Sequence, residues 1–449
     1  MIETKYQHWL NFEGLDADLK KELEGMNEFE KNDAFYTNVE FGTAGMRGVL
    51  GAGTNRLNIY TIRKANYGFA KYICDHGKEA MERGVAIAYD NRFMSKEFAM
   101  ESARLLAMFN IKTYVFTSLR PTPELSYAVR HLKCDGGVVI TASHNPSKYN
   151  GYKAYDPNGC QLDIDDSKKV IDFVNRIPIF NGAKTIGFEE GLKSGIIEYI
   201  GDDVIEAYLN TVKNESINDV CKKANLNVIY TPLNGAGNKP VRAILNKVGV
   251  ENVTVVKEQE LPDGNFPTTP YPNPEVREAF TLALQLAKTV KPDILLATDP
   301  DCDRVGIAVN TKNGMKLFTG NQVGALLVDY VIKMNKDKIN DKSTVIKTIV
   351  TSELGAQIAK LNGCNIIEVL TGFKFIGDKM NMFEKEGNGE YVIGYEESYG
   401  YLAGAHCRDK DAVVASMLIC EMAAFYKNEG KTLIDVLNEI YDKYGYYYC

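Results

Sequence analysis

Two short segments carry residues whose types and spacing suit nucleophilic or phospho-acceptor chemistry and the binding of a metal. TASHNP, residues 141–146, follows the apolar run GGVVI, so Ser143 stands at the exit of a strand with His144 and Asn145 beside it. A hydroxyl placed there suits nucleophilic or phospho-acceptor chemistry. The same hexapeptide also reads as a polar loop opening a helix, with Ser143 or Asn145 as its cap. Beyond it the chain is expected to turn at Asn150-Gly151 and to present Lys153 on a short polar–aromatic strand. DPDCDR, residues 299–304, lies between the apolar runs ILLAT and VGIAV. If this stretch is extended, alternate side chains share a side, so Asp299, Asp301 and Asp303 converge while Pro300 and Cys302 point away. Three like charges so close require a cation, and three oxygen ligands suit Mg²⁺. The alternative is an acidic surface turn. Arg304 beside them can hold a phosphoryl oxygen or pair with an aspartate.

Three further segments carry weaker signals. GTAGMRG, residues 42–48, offers backbone N–H groups and Arg47 as a phosphate cradle, although glycines serve turns just as readily. In GYEESYG, residues 394–400, Glu396 and Ser398 share a face if the strand continues, and together they can hydrogen-bond adjacent sugar hydroxyls. HCRDKDA, residues 406–412, is a solvated helix start or the floor of an anion site, with His406, Arg408 and Lys410 as its useful members.

These segments need rigid elements behind them. β-Branched runs alternate with helical patterns, which predicts α/β units whose ligands bind outside the carboxyl ends of strands. VAIAYD, TYVFTS and GGVVITAS read as strands, and Glu97–Phe109 as a helix with Phe98, Ala99, Ser102, Leu105, Leu106 and Phe109 on one face. Asp90–Arg92 and Thr141–Pro146 fall at strand ends. The pattern restarts near residue 206, with LNVIYT, NVTVV and PDILLAT as strands and helices over Lys239–Lys247 and Pro274–Thr289. It restarts again near 315, with VIKTIVTS, CNIIEVLT and YVIGYEE as strands and helices over Asn321–Met334 and Ser352–Leu361. The expected fold is three consecutive α/β domains with mixed sheets covered by helices, at 1–205, 206–315 and 316–449. No internal sequence repeat stands out.

At 449 residues the chain is too long for one ordinary domain. A net charge of -7, from 59 acidic and 52 basic residues, gives no general footprint for nucleic acid. No apolar run is long enough to span a membrane, and MIETKYQHWL is not a secretory signal. Nine scattered cysteines without a CxxC pair point to a reducing, cytoplasmic setting.

Taken in order, TASHNP with its trailing NGxK and the triple-aspartate segment followed by arginine resemble the α-D-phosphohexomutase superfamily, from about residue 40 onward. The resemblance implies that Ser143 is a phosphoserine with His144 its active-site neighbour. It makes Asp299, Asp301 and Asp303 ligands of Mg²⁺, with the serine phosphate completing the set. Lys153 resembles a general acid/base, while Arg47 and Arg304 resemble arginines lining the phosphoryl-transfer site. Glu396 and Ser398 match a sugar-recognition loop, Thr371 and Gly372 a second loop orienting the sugar, and Arg408 a neighbouring segment. The implied reaction interconverts hexose 1-phosphate and hexose 6-phosphate through a hexose 1,6-bisphosphate, with glucose 1,6-bisphosphate as activator. A lysine base there would need its pKa lowered by neighbouring cations. The implied partner is a small sugar phosphate, with no nucleic acid or membrane, in a monomer or weak homo-oligomer.

Pro300, Cys302 and Tyr395 stand where many relatives have glycine. They point to the branch of longer bacterial phosphoglucomutases and phosphopentomutases, so a ribose or deoxyribose phosphate is an alternative substrate. A metal-dependent sugar phosphatase and a non-catalytic sugar-phosphate-binding protein are the other rivals. The resemblance also implies a fourth, smaller domain gripping the distal phosphate. No Arg-Ser-Gly-Thr-rich loop for it is found before Cys449, so this chain is expected to lack that domain and to turn over poorly.

Overall fold

The runs VAIAY, GGVVI and ILLAT are apolar at nearly every position, as strands covered on both faces are, and all three are buried throughout. The computed structural model describes residues 1–42 and 45–447. Thr43 and Ala44 of the glycine-rich segment, and Tyr448 and Cys449 of the terminal aromatic run, lie outside the described residues.

Three sheets follow one another along the chain. The first contains β1 (Phe41–Gly42), β2 (Gly45–Val49), β3 (Val85–Tyr89), β4 (Thr113–Phe116), β5 (Gly136–Ile140), β6 (Tyr149–Tyr155) and β7 (Ile197–Ile200), in the order β1-β2-β6-β5-β3-β4-β7. The second contains β8 (Asn227–Thr231), β9 (Asn252–Val255), β10 (Ile294–Thr298), β11 (Val305–Thr311) and β12 (Gly314–Leu317), in the order β12-β11-β10-β8-β9. The third contains β13 (Ser343–Thr348), β14 (Asn365–Val369), β15 (Glu390–Glu396) and β16 (Gly400–Ala403), in the order β14-β13-β15-β16. In each, a parallel part gives way to antiparallel pairing, at β5 with β6, β10 with β11, and β15 with β16. Those three connections carry Ser143, the aspartates, and Glu397–Tyr399 next to Glu396. The expected class, α/β with mixed sheets covered by helices, is the observed one.

A continuous apolar core runs through the faces where the sheets meet. At its centre lies helix Ala412–Asn428, apolar almost all round and therefore buried all round. It packs on helix Asn238–Lys247 and on β10, β11 and β16, so it ties the second sheet to the third. Its N-cap, Asp411, accepts the N–H groups of Val413 and Val414. Ahead of the first sheet, helices Ile2–Leu10, Ala17–Gly25 and Glu28–Phe35 close over an aromatic cluster of Trp9, Phe35, Tyr60 and Phe180.

Several local expectations are corrected. The helix expected from Pro274 begins with a 3₁₀ turn at Arg277 and becomes α-helical only at Thr281. Asn273 Oδ1 accepts the Glu275 N–H at 3.0 Å and turns the chain there instead. Asn150-Gly151 is not a turn but lies inside β6, and a Cβ at Gly151 would meet the Thr141 carbonyl at 2.3 Å. Strand β15 ends at Glu396, so Ser398 sits in the following turn rather than on a shared strand face.

Candidate active site

Ser143 leaves β5 with a φ of 51°, in the left-handed region that a residue bearing a Cβ rarely adopts. The hydroxyl is buried and donates to Asp299 Oδ2 at 2.7 Å, across from the first sheet to the second. His144 Nδ1 stands 3.3 Å from Ser143 Oγ and 3.2 Å from Arg304 Nη1. Burial, with the Arg304 and Arg47 guanidinium groups, pushes the imidazole down to about 3. His144 is therefore neutral, and because Nδ1 accepts from Arg304 its proton sits on Nε2.

The three aspartates converge, though not by strand alternation. The segment is a turn: the Cys302 N–H donates to the Asp299 carbonyl at 2.9 Å, and Cys302 has a φ of 51°. Asp299 Oδ1 accepts the N–H groups of Asp303 (3.1 Å) and Arg304 (3.0 Å). Gly235 makes room for this turn, since a Cβ there would lie 2.5 Å from Pro300 Cα. Asp301 Oδ2 accepts from Thr122 Oγ1 (2.9 Å) and Lys153 Nζ (3.0 Å). Asp303 Oδ2 lies 3.5 Å from Lys153 Nζ and 3.3 Å from Lys410 Nζ.

Asp301 Oδ1 and Asp303 Oδ1 are buried with no hydrogen-bond partner among the described residues. One oxygen from each aspartate falls within 4.8 Å of the others. Buried carboxylate oxygens without a hydrogen bond, gathered this way, fit a hard divalent cation. Burial and the charges of Asp301 and Asp303 push the Asp299 carboxyl well above the usual carboxylate range. Burial acts the same way on Asp301, but Lys153 overrides it and holds that carboxyl below the range.

Burial tends to lower the Lys153 pKa, yet Asp301 and Asp303 outweigh it and hold the ammonium above its ordinary value. The charges nearest Lys153 are thus carboxylates, where a lysine base was expected beside cations. Lys410 is raised too, with Asp303 and Asp409 outweighing its burial.

The other expected residues divide into two groups. Arg47 lies on β2 opposite Gly151 and donates to Asn145 Oδ1 at 2.9 Å, which joins it to the Ser143 loop. Arg304 donates to Glu275 Oε1 at 3.0 Å. Glu396 is buried, and its Oε1 accepts the Gly372 N–H at 2.9 Å, so the two expected sugar loops are tied together. Burial raises the Glu396 carboxyl, while Lys410 and Arg304 work against the shift. Thr371 is exposed beside Gly372. Arg408 does not join the cluster. It is buried and donates to Asn381, Glu384 and the carbonyls of Ala405 and Cys407. From the same segment it is Lys410 that reaches the aspartates.

Residues 38–178, 206–314 and 319–444 match alpha/beta/alpha domains I, II and III of phosphoglucomutase/phosphomannomutase. The chain belongs to this family. It is 37% identical over 444 residues to a phosphoglucomutase of Staphylococcus saprophyticus, spanning 98% of this chain and 78% of that one. Its fold is similar to that of a phosphoglucomutase/phosphomannomutase family protein from Burkholderia thailandensis, with a TM-score of 0.70 at 20% identity, covering 89% of this chain and 79% of that chain. It is also similar to the open form of the Paramecium phosphoglucomutase pp63/parafusin, with a TM-score of 0.69 at 18% identity, covering 92% and 75%. Each matched family domain contains one of the three strand-to-strand connections of the site.

Two residues of this cluster, Thr122 and Glu275, escaped the sequence reading, and a third, Lys410, was named only as one of three basic candidates. Thr122 opens helix Thr122–His131 and has no signal beyond a polar residue after a strand. Glu275 sits in the segment read as helix. Lys410 lay in a flagged run, but spacing alone does not say which of its three basic residues faces the aspartates.

Proposed function

We propose that this chain interconverts hexose 1-phosphate and hexose 6-phosphate, glucose phosphates foremost, with Ser143 as the phosphate carrier and a hexose 1,6-bisphosphate as intermediate. The observation that carries this reading is the 2.7 Å hydrogen bond from Ser143 Oγ to Asp299, which joins the hydroxyl to a buried carboxylate trio in which two oxygens accept no hydrogen bond. In this reading residues 1–205 carry the phosphoserine, 206–315 the metal ligands and 316–449 the sugar-recognition loop. Free thiols among the described cysteines support a reducing cytoplasm.

Asp299, Asp301 and Asp303, with a phosphate oxygen on Ser143, would hold Mg²⁺, which neutralises charge on a phosphoryl group in transfer. When the free sugar hydroxyl attacks phosphoserine, the new sugar O–P bond forms as the Ser143 Oγ–P bond breaks. The sugar oxygen loses a proton and Ser143 Oγ gains one. After the bisphosphate turns around, the Ser143 Oγ–P bond forms as the other sugar O–P bond breaks; Ser143 Oγ gives up its proton and the departing sugar oxygen takes one. Lys153, whose ammonium lies 3.0 Å from Asp301 Oδ2, is assigned as the donor for that oxygen. Neutral His144 and Arg304 border the serine, and burial keeps out the water that would hydrolyse phosphoserine. Glu396 and the Gly372 loop it braces present acceptors to sugar hydroxyls.

Turnover of glucose 1-phosphate, mannose 1-phosphate and ribose 1-phosphate, measured side by side with added glucose 1,6-bisphosphate, tests the reading. Isomerisation of a hexose phosphate that is abolished in Ser143→Ala is expected. Release of inorganic phosphate without isomerisation, or preference for the pentose, would contradict it.

A further inference from the structure

The loop carrying Ser143 is irregular backbone in a buried place, so its carbonyls need donors that neither helix nor ladder provides. Arg92 provides them. Its Nη1 donates to the carbonyls of Pro146 (2.9 Å) and Tyr149 (3.1 Å), and its Nη2 to those of Ser143 and Asn145. The Arg92 side chain is fully buried, with Nε 3.3 Å from Asp90 Oδ2. The same Asp90 oxygen accepts from Thr141 Oγ1 at 2.7 Å, and Thr141 Oγ1 accepts the Ser143 N–H at 2.8 Å. Asp90 Oδ1 accepts from Ser95 Oγ (2.7 Å) and the Arg92 N–H (3.0 Å). Both the N–H and the C=O of Ser143 are thus tied to one buried carboxylate, through Thr141 on one side and Arg92 on the other. A left-handed, non-glycine backbone persists only where its surroundings over-determine it.

We propose that Asp90 and Arg92 are a positioning pair for phosphoryl transfer, holding the Ser143 backbone left-handed so that its hydroxyl faces Asp299. The proposal rests on Ser143 being the phosphate carrier. Neither member touches the reacting atoms. Lysine is no substitute for Arg92, because one ammonium cannot reproduce a planar fork that serves four carbonyls at once. Thr141 is the relay on the N–H side, and its hydroxyl rather than its bulk does the relaying.

The test is single-turnover transfer of phosphate from glucose 1,6-bisphosphate to dephosphorylated protein, followed by intact mass. It compares wild type with Arg92→Lys, Thr141→Val and Thr141→Ser. Calorimetric Mg²⁺ titration and melting curves run alongside. Misplacing a reacting group by about 1 Å costs on the order of a hundredfold in rate. Arg92→Lys and Thr141→Val are therefore expected to slow phosphate uptake by roughly ten- to a hundredfold, with the bisphosphate concentration for half-maximal rate and the Mg²⁺ affinity within about twofold of wild type. Thr141→Ser is expected to restore the rate. Should Thr141→Val not fold, Arg92→Lys carries the test. Wild-type rates in both variants would overturn the pair, as would slow rates matched by equal losses of Mg²⁺ and bisphosphate affinity. Ser143→Ala separates the two claims. Phosphate uptake by that variant would overturn the carrier assignment itself, whereas a phosphate-free Ser143→Ala beside a fast Arg92→Lys overturns only the positioning role.

Discussion

The β5–β6 and β10–β11 connections occupy the same place in their sheets, yet different devices hold them. Each leaves a parallel strand and returns antiparallel, and each bends through a non-glycine residue with a φ of 51°, Ser143 in one and Cys302 in the other. In the aspartate loop Asp299 Oδ1 takes the N–H groups of Asp303 and Arg304, while the backbone N–H groups of Ala236, Thr122 and Ala412 hold the carbonyls of Pro300, Asp301 and Cys302. The serine loop has its carbonyls held from outside by Arg92. The reason lies in what each must leave free. Asp301 and Asp303 keep one oxygen each without a hydrogen bond, so of the three carboxylates it is Asp299 that braces the loop from within, one oxygen inward and the other on Ser143. The serine loop has to present only a hydroxyl, so its frame can belong to the neighbouring strand end. Damage to the aspartate loop should therefore remove metal and transfer together, while damage to the serine loop's frame should slow transfer alone.

The largest effect that would sharpen this contrast is expected at Asp301. Asp301→Asn removes the negative charge that faces Lys153 and that the proposed metal site would use. Loss of such an electrostatic group costs roughly a hundred- to a thousandfold in kcat, about 2.7–4 kcal/mol. Calorimetry should show weakened Mg²⁺ binding in parallel. Unchanged Mg²⁺ binding with unchanged turnover would make DPDCDR a plain acidic turn.

Gly235→Ala probes the support beneath the same loop. The new Cβ would meet Pro300 Cα at 2.5 Å, and backbone cannot yield as a side chain does. Overpacking of this kind costs about 1–3 kcal/mol, so a lower Tm with weaker Mg²⁺ binding is expected. A wild-type melt and metal affinity would show that the turn is not braced there.

Glu396, at the third equivalent connection, should matter less. In Glu396→Gln the amide replaces a carboxylate that accepts the Gly372 N–H. A hydrogen bond to a charged group is worth about 1.5–3 kcal/mol, and part of it survives in the amide, so kcat/KM should fall about tenfold. Because Glu396 is buried, some loss of stability should accompany it, contrary to what a solvated strand end would show. Wild-type kinetics on every sugar phosphate would remove Glu396 from the site.

The smallest effect is one of pH. His144 is held at about 3, below the ordinary imidazole value, so the unfolded chain binds its proton first. His144 therefore lowers stability as pH falls from about 6.5 toward 3. Its ring resonances should not titrate between pH 8 and 5. Titration near 6.5 would mean that the imidazole is not enclosed with Arg304 and Arg47.

Much of this site was legible because its motifs are contiguous. TASHNP and DPDCDR announce a hydroxyl and three carboxylates at strand exits, and the strands before them are apolar enough to place. What was not legible depends on contacts far apart in the chain. The convergence of the aspartates comes from a left-handed Cys302, which strand alternation does not describe. The exchange of Arg408 for Lys410 depends on Glu384 and Asn381 engaging the former. The shared placement of the three connections is invisible as a sequence repeat, since topology constrains hydrogen-bond direction and not side-chain identity.

The most direct measurement joins the serine to the aspartates: intact mass and peptide mapping after exposure to glucose 1,6-bisphosphate and Mg²⁺, for wild type, Ser143→Ala and Asp301→Asn. One phosphate on the peptide containing Ser143 in wild type, none in Ser143→Ala and little in Asp301→Asn is the expected result. A phosphate mapped to another residue, or full labelling of Ser143 in Asp301→Asn, would contradict the union of the two loops in one site.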